Sequence, residues 1–345
     1  MIPLMDRRGA QRIRDGATSS AYRSSSDARP FSPVRPFSPV RPFSPVRPFS
    51  PVRVVQARSR GSLVPGSRGD GTCGEIRLFT STALYVTTTR RADPLRWSDV
   101  VSLHPVGIPR SPLSVHVDAW DAFVDAGFGV GDRVSLRDGS MTVSGASGNV
   151  VVCAFADAPE WTGSSRVVPI TFRAVDDALS RLAVLSQQSL PAARARLADR
   201  ADALVAALCE GSDPPVRAAV GGLLGFGPGL TPSGDDVLAG CLVALLRWNA
   251  TLSVGDRLER AITERLVSPN ATGFVGRQLL ELSRHGLTHE ALDDVLLAVP
   301  LGGPAIVRPA ERVLSVGVTS GADSLLGLEC ALRVYVALTE RDVPR

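Results

Sequence analysis

The chain has no lysine, so all 38 of its basic residues are arginines. That excludes a Schiff-base lysine, a Walker-type phosphate lysine and a kinase-type lysine. Any positive charge at a site must come from Arg, His, a helix dipole or a metal. Aromatic residues are few, at 5%. The five cysteines, Cys73, Cys153, Cys209, Cys241 and Cys330, are odd in number, widely spaced and without a C-x-x-C pair, which points to a reduced, cytoplasmic protein rather than a disulfide framework. Long apolar runs are missing too. The longest, Val237 to Leu246, is too short to span a bilayer, and the arginine-rich N-terminus has no apolar stretch behind it. Neither secretion nor membrane insertion is expected, and no Gly-x-Ser-x-Gly elbow or His-Glu-x-x-His is present.

The formal charge of +4 suggests a nucleic-acid binder until it is located. Residues 1–70 hold 13 Arg against 4 Asp, a surplus of nine, which leaves residues 71–345 at −5. The part able to fold is mildly acidic, so no nucleic-acid partner is expected. Residues 29–52 are four copies of Arg-Pro-Phe-Ser-Pro-Val with a proline at every third position. Three residues per turn matches polyproline II, and such a segment cannot pack a core. A disordered basic tail over 1–70 is the reading, although Pro30-x-x-Pro33-x-Arg35 also fits a proline-recognition groove.

From about residue 75 to 157, short apolar segments alternate with Gly, Pro and Asp: Asp99–His104, Leu113–Val117, Arg133–Leu136, Met141–Val143 and Val150–Phe155. Their spacing predicts a small, mostly antiparallel β-rich domain over 71–165. Helical periodicity takes over from about Phe172. Helix-length segments at Pro191–Glu210, Ser233–Trp248, Val254–Leu266, Thr272–Arg284, Thr288–Val299 and Ser320–Leu338 predict an all-helical domain over 166–345. The expected class is α+β.

One phrase occurs twice. Ser233-Gly234-Asp235-Asp236-Val237-Leu238-Ala239-Gly240 and Ser320-Gly321-Ala322-Asp323-Ser324-Leu325-Leu326-Gly327 share the frame S-G-x-D-x-L-x-G-x-x-x-A-L, each after a glycine-rich stretch. Ser followed three residues later by an acid, before an apolar run, predicts a helix start with Ser as N-cap. Both helices are apolar on nearly every face and belong at a domain centre. Gly240 and Gly327 are expected where the two helices cross, bringing both Ser-Gly-x-Asp starts to one pocket.

The loops have two readings. The glycines of Gly225-Phe226-Gly227-Pro228-Gly229 merely permit a tight turn, or N–H groups at the helix starts hold an anion such as phosphate or carboxylate. A dipole offers a surface anion about 0.3–1 kcal/mol, whereas a carboxylate 4 Å from a phosphate costs on the order of 4 kcal/mol at a protein-like dielectric. Asp235, Asp236 and Asp323 must therefore turn away from an anionic ligand, accept from its amide donors, or share a cation with it. Gly227, Gly229, Thr231, Ser233, Gly234, Asp235, Thr319, Ser320 and Gly321 are the candidate ligand-binding residues, and Asp236 and Asp323 the candidate catalytic ones. Arg110, Arg277, Arg308 and Arg312 are candidate counter-cations. No cofactor is expected; Mg²⁺ would suit the three acids, but they lack a metal spacing code. His285 and His289 read as a helix end and the start of the next helix, which Thr288 caps, rather than a metal pair. His104 and His116 fall in or beside β segments, with nothing adjacent in sequence to make them bases.

With these residues in view the chain resembles the AllH-like family, associated with a subunit of oxamate carbamoyltransferase. The resemblance rests on Gly225-Phe226-Gly227-Pro228-Gly229-Leu230-Thr231-Pro232-Ser233-Gly234-Asp235-Asp236 and on Gly317-Val318-Thr319-Ser320-Gly321-Ala322-Asp323. Pro112-Leu113-Ser114, the Trp161 region and the helix around Thr272 add looser support. It implies carbamoyl transfer involving oxamate or oxalurate and carbamoyl phosphate, in the breakdown of the purine product allantoin, performed with partner subunits. The Ser-x-Arg-Thr phosphate motif of aspartate and ornithine carbamoyltransferases is missing, so a different site is implied. The alternative is a non-catalytic ligand-binding or scaffold subunit.

Overall fold

The computed structural model describes residues 52–64, 72–89, 100–186, 191–248 and 252–342. The Arg-Pro-Phe-Ser-Pro-Val repeats up to Pro51 lie outside the described residues. Pro48–Arg345 is one compact unit. Within it a β-barrel-like sheet precedes a set of helices, in keeping with the α+β expectation.

The nine strands are β1 (Arg53–Gly61), β2 (Thr72–Phe79), β3 (Leu84–Thr89), β4 (Val100–Pro105), β5 (Ser114–Val117), β6 (Arg133–Arg137), β7 (Ser140–Ser144), β8 (Val150–Ala154) and β9 (Glu160–Trp161). They run in the order β5-β4-β3-β2-β6-β7-β8-β1-β9, and an extra β1–β5 pairing closes the first eight. The interior is filled by side chains such as Leu84, Leu103, Leu136, Met141 and Phe155, with Phe123 of the short helix α1 (Asp121–Ala126) plugging it. Eight strands leave an interior of about that capacity. Most pairs are antiparallel, but β1–β8, β1–β9 and β4–β5 are parallel.

Residues 53–61, read from sequence as part of the tail, are instead the strand that closes the barrel. The reason for the miss is chemical. The inward positions of β1 are Val55, Ala57, Ser59 and Gly61, mostly small residues, while Val54 points outward at 65% exposure, so the apolar alternation is weak. Small inward residues are required because a β-carbon on Gly61 would fall 2.2 Å from the Pro112 carbonyl oxygen.

The helices are α2 (Phe172–Ser186), α3 (Pro191–Glu210), α4 (Asp213–Leu223), α5 (Ser233–Arg247), α6 (Leu252–Leu266), α7 (Phe274–Ser283), α8 (Glu290–Ala298), α9 (Val307–Leu314) and α10 (Ser320–Asp342). Six of them fall on the segments that periodicity marks. α2, α4 and α9 were not delimited from sequence; α4 and α9 carry prolines, Pro214, Pro215 and Pro309, that mask their periodicity. α5 and α10 form the centre: α5 is buried from Gly234 to Leu245 and α10 from Gly321 to Leu328.

The two central helices cross at their glycines. A β-carbon on Gly240 would sit 2.3 Å from the Ser324 carbonyl oxygen, and one on Gly327 would sit 2.1 Å from that of Val237. Each glycine thus meets the backbone three residues before the other. Only a residue without a side chain allows that approach.

The barrel and helices are joined by a laced segment. Arg247, 1% exposed at the last turn of α5, bonds Asp293 at 2.8 Å and the Arg166 carbonyl at 2.7 Å, and its Nη1 also donates to the Ser164 carbonyl. At the barrel face Arg110 forms a forked pair with Glu290 while Arg110 stacks on Trp161. Gln278 of α7 donates to the Val100 carbonyl, and Phe274 meets Tyr85 edge-on.

Candidate functional site

Two bends lead into the central helices. In the first, the Phe226 N–H donates to the Leu223 carbonyl (2.8 Å) and the Gly234 N–H donates back to the Phe226 carbonyl (2.8 Å). In the second, Val316 donates to the Val313 carbonyl (2.9 Å) and Gly321 to the Val316 carbonyl (3.0 Å). Gly234 and Gly321 are forced to be glycine, since a β-carbon would lie 1.9 Å from the Leu223 oxygen and 1.8 Å from the Val313 oxygen. Both are buried, with their N–H groups engaged. Both are candidate ligand-binding residues from sequence, and both make close-packing contacts here.

The two helix starts meet. The Thr231 hydroxyl lies 2.9 Å from that of Ser320 and donates to the Asp236 carboxylate at 3.0 Å, and Ser320 also bonds Asp236. Asp236 is 3% exposed and Asp323 6%. Burial pushes the Asp236 carboxyl well above the usual carboxylate range; the two hydroxyls pull it back, and the charges of Asp323 and Asp235 push it further up. The net shift is upward, so the protonated form is stabilised relative to that of an exposed carboxyl.

Asp235 turns the other way. Its carboxylate accepts from the Gly225 N–H at 2.8 Å and from the Thr272 hydroxyl, bracing the first bend against the chain entering α7. Gly276 leaves room for it: a β-carbon there would fall 2.2 Å from Asp235 Oδ2. Burial raises this carboxyl too, against the pull of both bonds. A candidate ligand-binding residue from sequence, it serves here as a structural acceptor inside the fold.

Ser233 was expected as the N-cap of α5, but the capping position belongs to Pro232 and no side chain caps the helix. The N–H groups of Asp235 and Asp236 use the Pro232 carbonyl, at 2.8 and 3.2 Å. Ser233 packs beneath Gly227, whose φ of +106° favours glycine and where a β-carbon would fall 3.0 Å from the Ser233 nitrogen. At the second bend the Thr319 carbonyl takes the Asp323 N–H at 2.9 Å. What faces solvent is Gly227 to Leu230 in the first bend and Gly317 to Thr319 in the second, with Val318 98% exposed.

The cations proposed from sequence are mostly engaged elsewhere. Arg277 donates to the carbonyls of Leu266 and Ser268, Arg110 to Glu290, and Arg312 to Asp294; Arg308 is exposed on α9. The cation that does reach the first bend is Arg200 of α3, which donates to the Gly222 carbonyl and stacks over the Phe226 ring at 4.2 Å. No local pattern could have flagged it, because it precedes the motif by 25 residues on a separate helix.

Among the described residues, no cluster of three or more His, Cys, Asp or Glu side chains is arranged to hold a metal ion. His289, not Thr288, caps α8, its Nδ1 accepting from the Leu292 N–H at 3.3 Å. Burial drops its pKa to about 4, which keeps the ring a neutral acceptor. His104 and His116, distant in sequence, pair on neighbouring strands with ring centroids 5.7 Å apart. Both are pushed down to about 4, first of all by burial.

No curated protein and no solved structure matches the chain significantly. Among the described residues no helix is long and apolar enough to cross a membrane. Residues 223–332, from the end of α4 through both bends and into α10, match the family model described as oxamate carbamoyltransferase subunit AllH, a name that implies a carbamoyltransferase-associated subunit.

Proposed function

We propose that the chain is a subunit of a carbamoyltransferase-type complex and that its two glycine-rich bends, copies of one helix-entry motif, hold an anionic carbamoyl-containing ligand. The observation that carries this reading is the meeting of Thr231, Ser320 and Asp236, one residue group drawn from both bends, inside the region matched by the family. In the reaction the oxamate nitrogen bonds to the carbamoyl carbon of carbamoyl phosphate as the carbon–oxygen bond to phosphate breaks. The nitrogen loses a proton and inorganic phosphate leaves.

The electrostatics support an anion here better than a count of carboxylates suggests. Asp235 is turned inward, and burial holds Asp236 toward its neutral form, so the repulsion that would oppose a phosphate is reduced. The N–H groups of the exposed Gly227 and Gly229, with the hydroxyls of Ser233 and Thr319, form the donor side, while Thr231 and Ser320 spend their protons on Asp236 and face a ligand as acceptors. Asp236 and Asp323 orient the carbamoyl NH₂. Rate arises from positioning and charge stabilisation, without a covalent nucleophile.

Asp236→Asn is expected to abolish turnover in a complex reconstituted with partner subunits while the circular dichroism spectrum is unchanged. Wild-type turnover in that variant removes Asp236 from the reaction. A second reading is favoured by one observation: the N–H groups of Gly234, Asp235, Asp236, Gly321 and Asp323 are all bonded to internal carbonyls. A non-catalytic subunit would need only such self-contained bends. Thermal shift of the full chain with carbamoyl phosphate, inorganic phosphate and oxamate separates the two, since a ligand of the native state raises apparent stability by RT ln(1 + [L]/Kd).

A further inference from the structure

The first bend is longer than the second: seven residues separate Phe226 from Gly234, whereas four separate Val316 from Gly321. Extra length adds conformational freedom that something must remove if the bend is to present one shape. The second bend has Val316 at the position of Phe226 in its bond pattern. The first has a ring there, with a guanidinium over it.

We propose that Arg200 is a positioning residue for the ligand-facing part of the first bend, Gly227 to Thr231. This rests on the reading of that bend as the ligand loop. Arg200 is tied at one end to the Gly222 carbonyl, in the last turn of α4, where a cation also meets the negative end of the helix dipole. Its flat face lies on Phe226 at 4.2 Å. Phe226 is the pivot of the bend: its N–H is tied back to α4 through Leu223 and its carbonyl forward to α5 through Gly234. The ring is half-buried against the helical core, so it has one packed side and one side covered by Arg200. Removing the guanidinium frees that side, and the exposed glycines downstream lose their fixed base. Lysine keeps the charge but not the planar face, so it restores the fixed base only in part.

Hydrogen exchange and titration calorimetry on the full chain test this. In Arg200→Met the Gly234 amide, whose acceptor is Phe226, is expected to exchange about tenfold faster, the scale of one partly desolvated cation–π contact. The Gly321 amide is expected not to change, and Arg200→Lys to fall between. Carbamoyl phosphate affinity is expected to weaken by a similar factor in Arg200→Met and in Phe226→Leu, with the double variant no weaker than either, because both act through one contact. Unchanged exchange at Gly234, or an equal rise at Gly234 and Gly321, overturns the proposal, as does additive loss of affinity. If the wild-type chain binds neither carbamoyl phosphate nor inorganic phosphate, the ligand reading fails, while the exchange result still decides whether Arg200 fixes the bend.

Discussion

The bends at 226–234 and 316–321 have similar backbone bonds and each leads to a crossing glycine, yet their side chains differ. Counting back from the shared Ser-Gly, Thr231 corresponds to Val318 and Asp235 to Ala322. The first bend therefore carries an extra hydroxyl on Asp236 and an extra carboxylate bracing Gly225 and Thr272, where the second presents a fully exposed valine and a buried alanine. What the two keep in common is the geometry that lets helices approach. What they do not share are Thr231 and Asp235, the polar side chains found only in the first bend.

The largest effect is expected where the two are alike. Gly240→Ala and Gly327→Ala each drive a methyl group into a carbonyl of the other helix and should each cost about 3 kcal/mol in urea denaturation, despite the gain of about 1 kcal/mol in helix propensity. A loss under about 1 kcal/mol in either would mean that the crossing yields easily. The two losses should be similar, because the contacts are reciprocal.

Next in size is the effect of the asymmetry. Ser320→Ala removes a hydroxyl that meets both Thr231 and Asp236 and should cost about 1–2 kcal/mol, a buried group losing its partner. Its counterpart Ser233→Ala should cost under about 0.5 kcal/mol, since no capping bond is lost. Equal losses would restore the symmetric picture of two serine caps. The smallest signal is in pH dependence. Asp236 has its folded pKa raised, so its contribution to stability is complete below the unfolded value near 3.8 and declines as pH rises toward the folded one. The stability of Asp236→Asn relative to wild type should accordingly improve as pH increases from about 4, measured by denaturation at each pH. A flat difference would mean that the carboxyl is not held toward its neutral form.

Much of this was legible in the residues. The apolar run after each Ser-Gly marked two buried helices, and four-residue spacing from Asp236 to Gly240 and from Asp323 to Gly327 placed the crossing. Strand segments from Val100 to Ala154 were legible from alternation. β1 was not, because its inward residues are mostly small, Val54 lies on its outer face, and only barrel closure explains it. The N-cap role of Ser233 was misjudged for a related reason. A sequence motif shows which groups a helix start offers, but not which of them the neighbouring helix ends take up.

The sequence by itself determined the class of fold, the two central helices and the glycines on which they cross, since these follow from periodicity and from the one residue that has no side chain. Tertiary structure alone decided the rest: that Thr231 meets Ser320, that Asp235 faces inward while Asp236 is held toward neutrality, and that Arg200 rather than any arginine near the motif covers Phe226. Those outcomes depend on distances between segments far apart in the chain and on the exclusion of water around them, and neither quantity is written in local residue order.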